Sequence, residues 1–340
     1  VSGPGISFQH LLRLSDDTGL LEHARGCVPR REHGYCVDDV ARGLVVLSRE
    51  PEPPAPLTTL AGGYLGFVAH ALDPAGGCHN RLGYDRRWED VSGTGDWWGR
   101  AVWGLGSMVS GTGPQWQRDE ALDRFGIAAQ RRSPWPRATA FAALGGAEVM
   151  TRFPDHVGAR RLLTDALALG RPTGDEEWPW PEDRLTYANA AWAEALIGAG
   201  RVLGDDLALA DGLRLLAWLV EVQTDGDHLS LVAAAGWSRG EPRSAFDQQP
   251  IEAATLADAC VRAFAVTGDR SWRDVVARCV AWFAGSNDST VAMHDPVTGG
   301  GYDGLELGGV NRNQGAESTL AWLLAQQHGR NLAPVTAAVS

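Results

Sequence analysis

Apolar residues recur along this chain at three- and four-residue spacing, in segments of roughly 12 to 18 residues, which is the period of an amphipathic helix. The pattern predicts twelve helices, near residues 6–15, 38–49, 57–72, 96–110, 116–131, 136–150, 156–169, 184–200, 206–223, 250–267, 270–284 and 313–328. Extended patches fall only between them, as at His228-Leu229-Ser230-Leu231-Val232 and Thr290-Val291-Ala292-Met293. Several boundaries carry their own chemistry. Pro136 and Pro250 suit a first helical turn, where a missing N–H costs nothing. Gly145-Gly146, Gly198 and Gly200 lie near helix ends, where a left-handed closing residue is wanted.

The connections alternate in length. Long loops (16–37, 73–95, 170–183, 224–249, 285–312) precede most even-numbered helices, and short turns (111–115, 151–155, 201–205, 268–269) follow them. Long loops in a compact fold usually carry function. The even helices are also poorer in charge: Ala188-Asn189-Ala190-Ala191-Trp192-Ala193-Glu194-Ala195-Leu196-Ile197 contrasts with Trp272-Arg273-Asp274-Val275-Val276-Ala277-Arg278. Six buried inner helices and six outer ones predict an all-α (α/α)6 toroid, with tight turns at one end and elaborated loops at the other. The whole chain, 1–340, is expected to be one domain, with flexible ends at 1–5 and 329–340.

Composition narrows the chemistry. A formal net charge of −12 disfavours a nucleic-acid partner, which needs basic patches. No apolar run approaches the roughly 20 residues that span a bilayer. The five cysteines are scattered, with no CxxC pair, so a disulfide framework is not expected and a reducing cytoplasm is the default location. Cys27, Cys36 and Cys78-His79 lie in loops on the acid-rich side, but lack the repeated spacing of a zinc site, and no metal or other cofactor is expected. The chain contains no lysine, which excludes Schiff-base catalysis, pyridoxal chemistry and a Walker-type phosphate loop. The 14 tryptophans supply broad apolar faces with one edge donor, suited both to core filling and to stacking on a sugar ring.

Acids recur where the even helices begin: Asp38-Asp39, Asp96, Glu182-Asp183, Asp247 with Glu252, and Glu317. For any single one, capping and dipole compensation is a sufficient explanation. Their repetition on neighbouring inner helices, beside amides and aromatics that capping does not need, points to a cleft instead. Gln248, Gln249, Asn311 and Asn313 are side chains that read hydroxyls. Trp97, Trp98, Trp178, Trp180 and Trp237 lie in or beside the same loops, and Arg42, Arg100 and Arg184 could hold the acids by bidentate pairing. Acids, amides and Trp platforms fit a carbohydrate. Cleaving a glycosidic bond needs one protonated carboxyl and one ionised one; Asp39 and Asp247 are the expected pair, with Asp38, Asp96, Glu182 and Asp183 as further candidates. Glu252 and Glu317, a turn inside their helices, are expected to bind substrate or orient the others. A second possibility is sugar epimerisation or isomerisation through the loop histidines His33, His79, His228 and His294. Asp38-Asp39-Val40-Ala41-Arg42 lacks the further acid that an acid-rich prenyl-diphosphate motif would need.

The segments His33-Gly34-Tyr35-Cys36-Val37-Asp38-Asp39-Val40-Ala41-Arg42, Tyr84-Asp85-Arg86-Arg87-Trp88, Asp96-Trp97-Trp98-Gly99-Arg100-Ala101-Val102-Trp103, Glu182-Asp183-Arg184-Leu185-Thr186-Tyr187, Phe246-Asp247-Gln248-Gln249-Pro250-Ile251-Glu252 and Gly309-Val310-Asn311-Arg312-Asn313-Gln314-Gly315-Ala316-Glu317 resemble bacterial six-hairpin glycosidase-like proteins. Those occur beside, or fused to, sugar-nucleotide glycosyltransferases and mannoside phosphorylases. The resemblance runs from about residue 8 to residue 326 and implies the toroid, a carbohydrate substrate and association with a glycosyltransferase, in which a non-catalytic sugar-binding role is a third possibility. Trp97-Trp98 is less polar than the pair that family implies after its first acid, so the wall beside Asp96 is expected to recognise a different substrate.

Overall fold

A computed structural model describes residues 5–332. Its helices are α1 (Gln9–Leu14), α2 (Val37–Ser48), α3 (Ala55–Ala71), α4 (Asp96–Ser110), α5 (Gln115–Ala128), α6 (Pro136–Arg152), α7 (Val157–Ala166), α8 (Ala190–Leu203), α9 (Asp206–Val222), α10 (Pro250–Thr267), α11 (Ser271–Phe283) and α12 (Ala316–Leu332). The even helices pack in sequence, and α12 returns to α2, closing an inner ring. Around it α3 lies on α2, α5 on α4, α7 on α6, α9 on α8, α11 on α10 and α1 on α12. This is the (α/α)6 toroid.

The two rings differ in burial as their charge pattern requires. Every residue of α8 from Ala190 to Gly200 is buried, whereas α5 buries only Gln117, Ala121, Phe125 and Ala128. Inner helices with so little polar surface can approach closely. At the α4–α6 crossing a Cβ on Gly99 would stand 2.3 Å from the Ala138 carbonyl oxygen, and one on Gly145 would stand 2.3 Å from that of Val102. Only glycine fits either position.

The long loops gather at the end of the ring where inner helices begin, and short strand pairs stitch them together. Tyr35-Cys36 pairs with Leu82-Arg81, joining the loops before α2 and α4. Arg184-Leu185 pairs with Ser238-Trp237, joining those before α8 and α10. Gln248 bridges to Leu305, joining those before α10 and α12. The strand pairing of Arg184-Leu185 corrects the expected start of α8: the helix begins at Ala190 because 184–185 spend their backbone groups on a neighbouring loop. At the other end α12 runs to Leu332, so residues 329–332 of the tail expected to be flexible are helical; apart from Gly5, the rest of that expectation, 1–4 and 333–340, lies outside the described residues. No helix among the described residues is long and apolar enough to cross a membrane.

Candidate active site at the mouth of the ring

The strand pair before α2 sets Cys36 and Asp38 beside Asn80 and Arg81. Asp38 and Asp39 then occupy the first turn of α2, one turn before Arg42, so the i,i+4 and i,i+3 spacings bring all three together. Arg42 Nη2 lies 2.6 Å from Asp38 Oδ2 and 2.7 Å from Glu317 Oε2 at the start of α12, while its Nη1 donates to Asp39 Oδ1 at 2.6 Å. One buried guanidinium therefore serves three carboxylates. Arg100, one turn into α4, reaches Asp38 Oδ1 at 2.8 Å with its guanidinium 4.0 Å from the centre of the Phe141 ring. These acids are not N-cap residues: α2, α4 and α10 carry no side-chain N-cap bond, and Asp38, Asp39, Asp96 and Glu252 lie in the first turn.

Two adjoining cavities open here. The larger, about 710 Å³, is lined by Glu22, Cys36, Asp38, Asn80, Arg81, Gly95, Asp96, Trp97, Trp135, Pro136, Arg137 and Glu182. The smaller, about 320 Å³, is lined by Glu22, His23, Cys36, Asp38, Asp39, Arg42, Gln249, Asp303, Gly315, Ala316, Glu317 and Ser318. Glu22, Cys36 and Asp38 face both. Carboxylates from four separate segments thus converge on the larger cavity, and the Trp97 indole forms part of its wall, anchored by its N–H to the Cys78 carbonyl at 2.7 Å.

Their environments differ. Burial pushes the Asp96 carboxyl up, assisted by the nearby Asp38 charge; Arg100 and Arg137 oppose the shift through space. Burial also pushes Asp39 up to about 8, with the Arg42 charge opposing it and Glu317 and Asp38 adding to it. Direct pairing with Arg42 would ordinarily lower an acid, but here the cation is shared three ways, and burial prevails. Glu182 is held by Arg137 Nη2 at 3.0 Å. The same arginine donates from Nε to the Tyr187 carbonyl at 3.1 Å and from Nη2 to Asn189 Oδ1 at 3.1 Å.

Not every expected residue joins this group. Trp98 and Trp180 are buried in the core, Trp98 donating to the Gly76 carbonyl and Trp180 packing between Trp192 and Trp218, so neither offers a face to a ligand. Trp178 and Trp237 pack edge-on against each other outside both linings. Gln248 is fully buried, its side chain bridging Ala245, Asp288 and Trp282; it is Gln249 that lines the smaller cavity. Asp247 and Asp183 are exposed and line neither cavity, which removes Asp247 from its expected pairing with Asp39. Glu252 is buried against the backbone N–H of Ala188 and the Asn189 amide and pushed up to about 7 by burial; it ties α10 to the start of α8. Asn311 accepts from the N–H of Asn313, and Asn313 from that of Gly26, so both brace loops. Arg184 pairs with Glu241 rather than with a cavity acid.

Glu22, His23, Asp303, Arg137 and Trp135 were not expected in the site. For Arg137 a signal existed: it occupies, one residue after Pro136, the helix-start position that acids hold elsewhere. The other four sit in aperiodic loops. Of the loop histidines, His79 stacks on Trp88, His294 on Trp322, His228 bonds Asp288 and His33 packs edge-on against His23; among the described residues His23 is the only histidine lining either cavity. Glu22, Cys36 and Asp39 bring ligand-type atoms within 4.8 Å of one another. Arg81 and Arg42 already hold the two carboxylates, and the buried Cys36 thiol, pushed up by burial and by Asp39, bonds Asn80. A cation would have to displace those arginines.

No protein-family model and no curated protein sequence matches this chain. Solved structures do match its fold. A sugar epimerase from a ruminal bacterium superposes with a TM-score of 0.71 at 12% identity, covering 95% of each chain. A D-mannose isomerase gives 0.68 at 11%, covering 96% of this chain and 94% of the other. A GH76 α-mannanase from Bacteroides thetaiotaomicron gives 0.61 at 8%, covering 87% and 86%.

Proposed function

We propose that the protein is a carbohydrate-processing enzyme and, within that class, a glycoside hydrolase acting on an oligo- or polysaccharide at the larger cavity. The observation that carries this reading is the convergence of Asp38, Asp96 and Glu182 on one cavity beside Trp97, with burial pushing the Asp96 carboxyl up. Its fold neighbours act on sugars by name.

Asp96, whose carboxyl burial pushes up, donates its proton to the leaving glycosidic oxygen. Glu182, oriented by Arg137, takes the role of the ionised carboxylate that activates water or attacks the anomeric carbon. Asp38, fixed between Arg42 and Arg100, offers a stationary negative charge to the oxocarbenium character that develops on the sugar. Trp97 supplies the apolar face of a sugar subsite. The test is a panel of plant, fungal and bacterial glycans assayed for new reducing ends, with D96N and E182Q alongside. Turnover that survives both substitutions would overturn the assignment. A protein that binds glycans tightly and releases nothing would be a binding module, in keeping with a glycosyltransferase partner.

One observation favours a second reading. The smaller cavity is lined by both His23 and Asp39, the latter pushed up to about 8 by burial, and proton exchange beside a sugar carbonyl needs an acid and a base within reach of one carbon. Deuterium uptake from heavy water into recovered monosaccharide, without new reducing ends, would select epimerisation or isomerisation.

A further inference from the structure

Resting on the carbohydrate reading above, we propose that the loop 132–135 and a third cavity behind it form an outer subsite that binds further sugar units of a long substrate. This cavity, about 350 Å³, is lined by residues including Ser133, Pro134, Thr139, Asp165 and Ala168, and shares Pro136 with the larger catalytic cavity. Trp135 stands at the junction. It lines the catalytic cavity yet remains 61% exposed. An indole at a cavity rim presents a broad apolar face that suits the flat face of a pyranose ring. Trp116 is equally exposed on α5, away from these cavities, so the argument lies in position and not in exposure.

The platform is also held in place. Ser133 Oγ donates to the Thr94 carbonyl at 2.6 Å and accepts the N–H of Trp135 at 3.0 Å. Thr139 Oγ1 donates to the Trp135 carbonyl at 3.1 Å. Thr94 lies two residues before Asp96, so one short chain of bonds ties the Trp135 backbone to the segment that carries the proposed acid. A loop already held in this way loses less entropy on binding. Beyond it, the Arg132–Asp165 ion pair and the hydroxyl of Thr139 provide the mixture of charge and hydroxyls that reads sugar hydroxyl groups. The catalytic cavity would hold the units at the cleaved bond, and the outer cavity those further along the chain.

The experiment is a fluorescence titration of D96N protein, with and without Trp135→Ala, using disaccharides and hexasaccharides of glucose and of mannose. In the parent the hexasaccharide of the accepted sugar should bind roughly tenfold tighter than its disaccharide. In W135A that ratio should collapse towards unity, and W135F should restore much of it. Ala168→Trp, which fills the outer cavity from an exposed position on its far wall, should abolish the ratio without touching Trp135. A hexasaccharide advantage unchanged in both W135A and A168W, or no advantage in the parent, overturns the outer subsite and leaves the carbohydrate reading standing. Failure of every sugar to bind the parent overturns the carbohydrate reading, and the subsite with it.

Discussion

Asp39 and Asp258 are both aspartates, both buried on inner helices and both within hydrogen-bonding distance of an arginine, yet their environments move them in opposite directions. Asp39, at the mouth of the ring, is pushed up to about 8, by burial first and then by neighbouring acids. Asp258, midway along α10, is pushed down to about 2 in spite of burial, because Arg49 at 2.5 Å and His328 at 2.6 Å both serve it. The difference is how many partners each carboxylate has to itself. Arg42 is divided among Asp38, Asp39 and Glu317, whereas Arg49 and a hydrogen bond to His328 both serve Asp258. Glu194 supports the same rule from the Asp258 end: it shares Arg262 with Glu148, lies near Asp258, and is pushed up by burial to about 7. Where one cation is divided among buried acids burial prevails, and where a carboxylate has two partners of its own it stays ionised.

The largest expected effect tests the mouth. D96N should lower kcat by roughly 10²–10⁴-fold, the usual contribution of a positioned acid, with glycan binding retained in titration. A comparable loss in D258N, with folding intact, would erase the distinction between the two ends. D258N should instead cost about 1–3 kcal/mol of stability, because it removes the buried acceptor shared by the part-exposed Arg49 and by His328; denaturant unfolding measures this, and kcat of the folded fraction should stay near the parent value.

The carboxyl shifts set a pH dependence. Asp39, Glu252 and Glu194 all have folded values above their unfolded ones, so the folded state holds more protons than the unfolded state in between. Their stabilisation is complete below the unfolded values of about 4 and is lost as pH rises through about 7 to 8. The melting temperature should therefore fall between pH 5 and pH 8.5 (a range of roughly that width). Asp258, displaced downwards, adds its share above its unfolded value and loses it only as pH falls through about 2, so it leaves that window flat. D39N should flatten the fall, as seen by calorimetry across the series; an unchanged slope would show that Arg42 neutralises Asp39 after all. The smallest effect is expected for D247N. Its side chain is exposed and outside both cavities, so stability should move by no more than about 0.5 kcal/mol and turnover should be unaffected.

Much of this was legible from the chain alone. The loop alternation and the charge-poor even helices place α2, α4, α6, α8, α10 and α12 in the inner ring before any contact is known, and Asp38, Asp39, Asp96, Glu182 and Glu317 do meet at its mouth. What misled was composition at the loops. Trp98 and Trp180 share their segments with Trp97 and Glu182, but a one-residue step on a helix, or a two-residue step in a loop, turns a side chain from cavity to core. Asp247 belongs to the same loop as Gln249, yet its side chain points to solvent. Glu22, His23 and Asp303 carried no periodic signal, because irregular loops have no repeat from which to read a face.

Taken by itself, then, the order of residues determined twelve helices, their pairing into hairpins and the end at which the long loops and acids gather, since helical periodicity, capping and turn chemistry act over a few neighbours. Only the closed ring decided which carboxylates share a cation. Arg42 finds Glu317 and Arg49 finds Asp258 across more than two hundred residues of chain, and charge balance inside a low-dielectric interior depends on such distant partners rather than on local pattern.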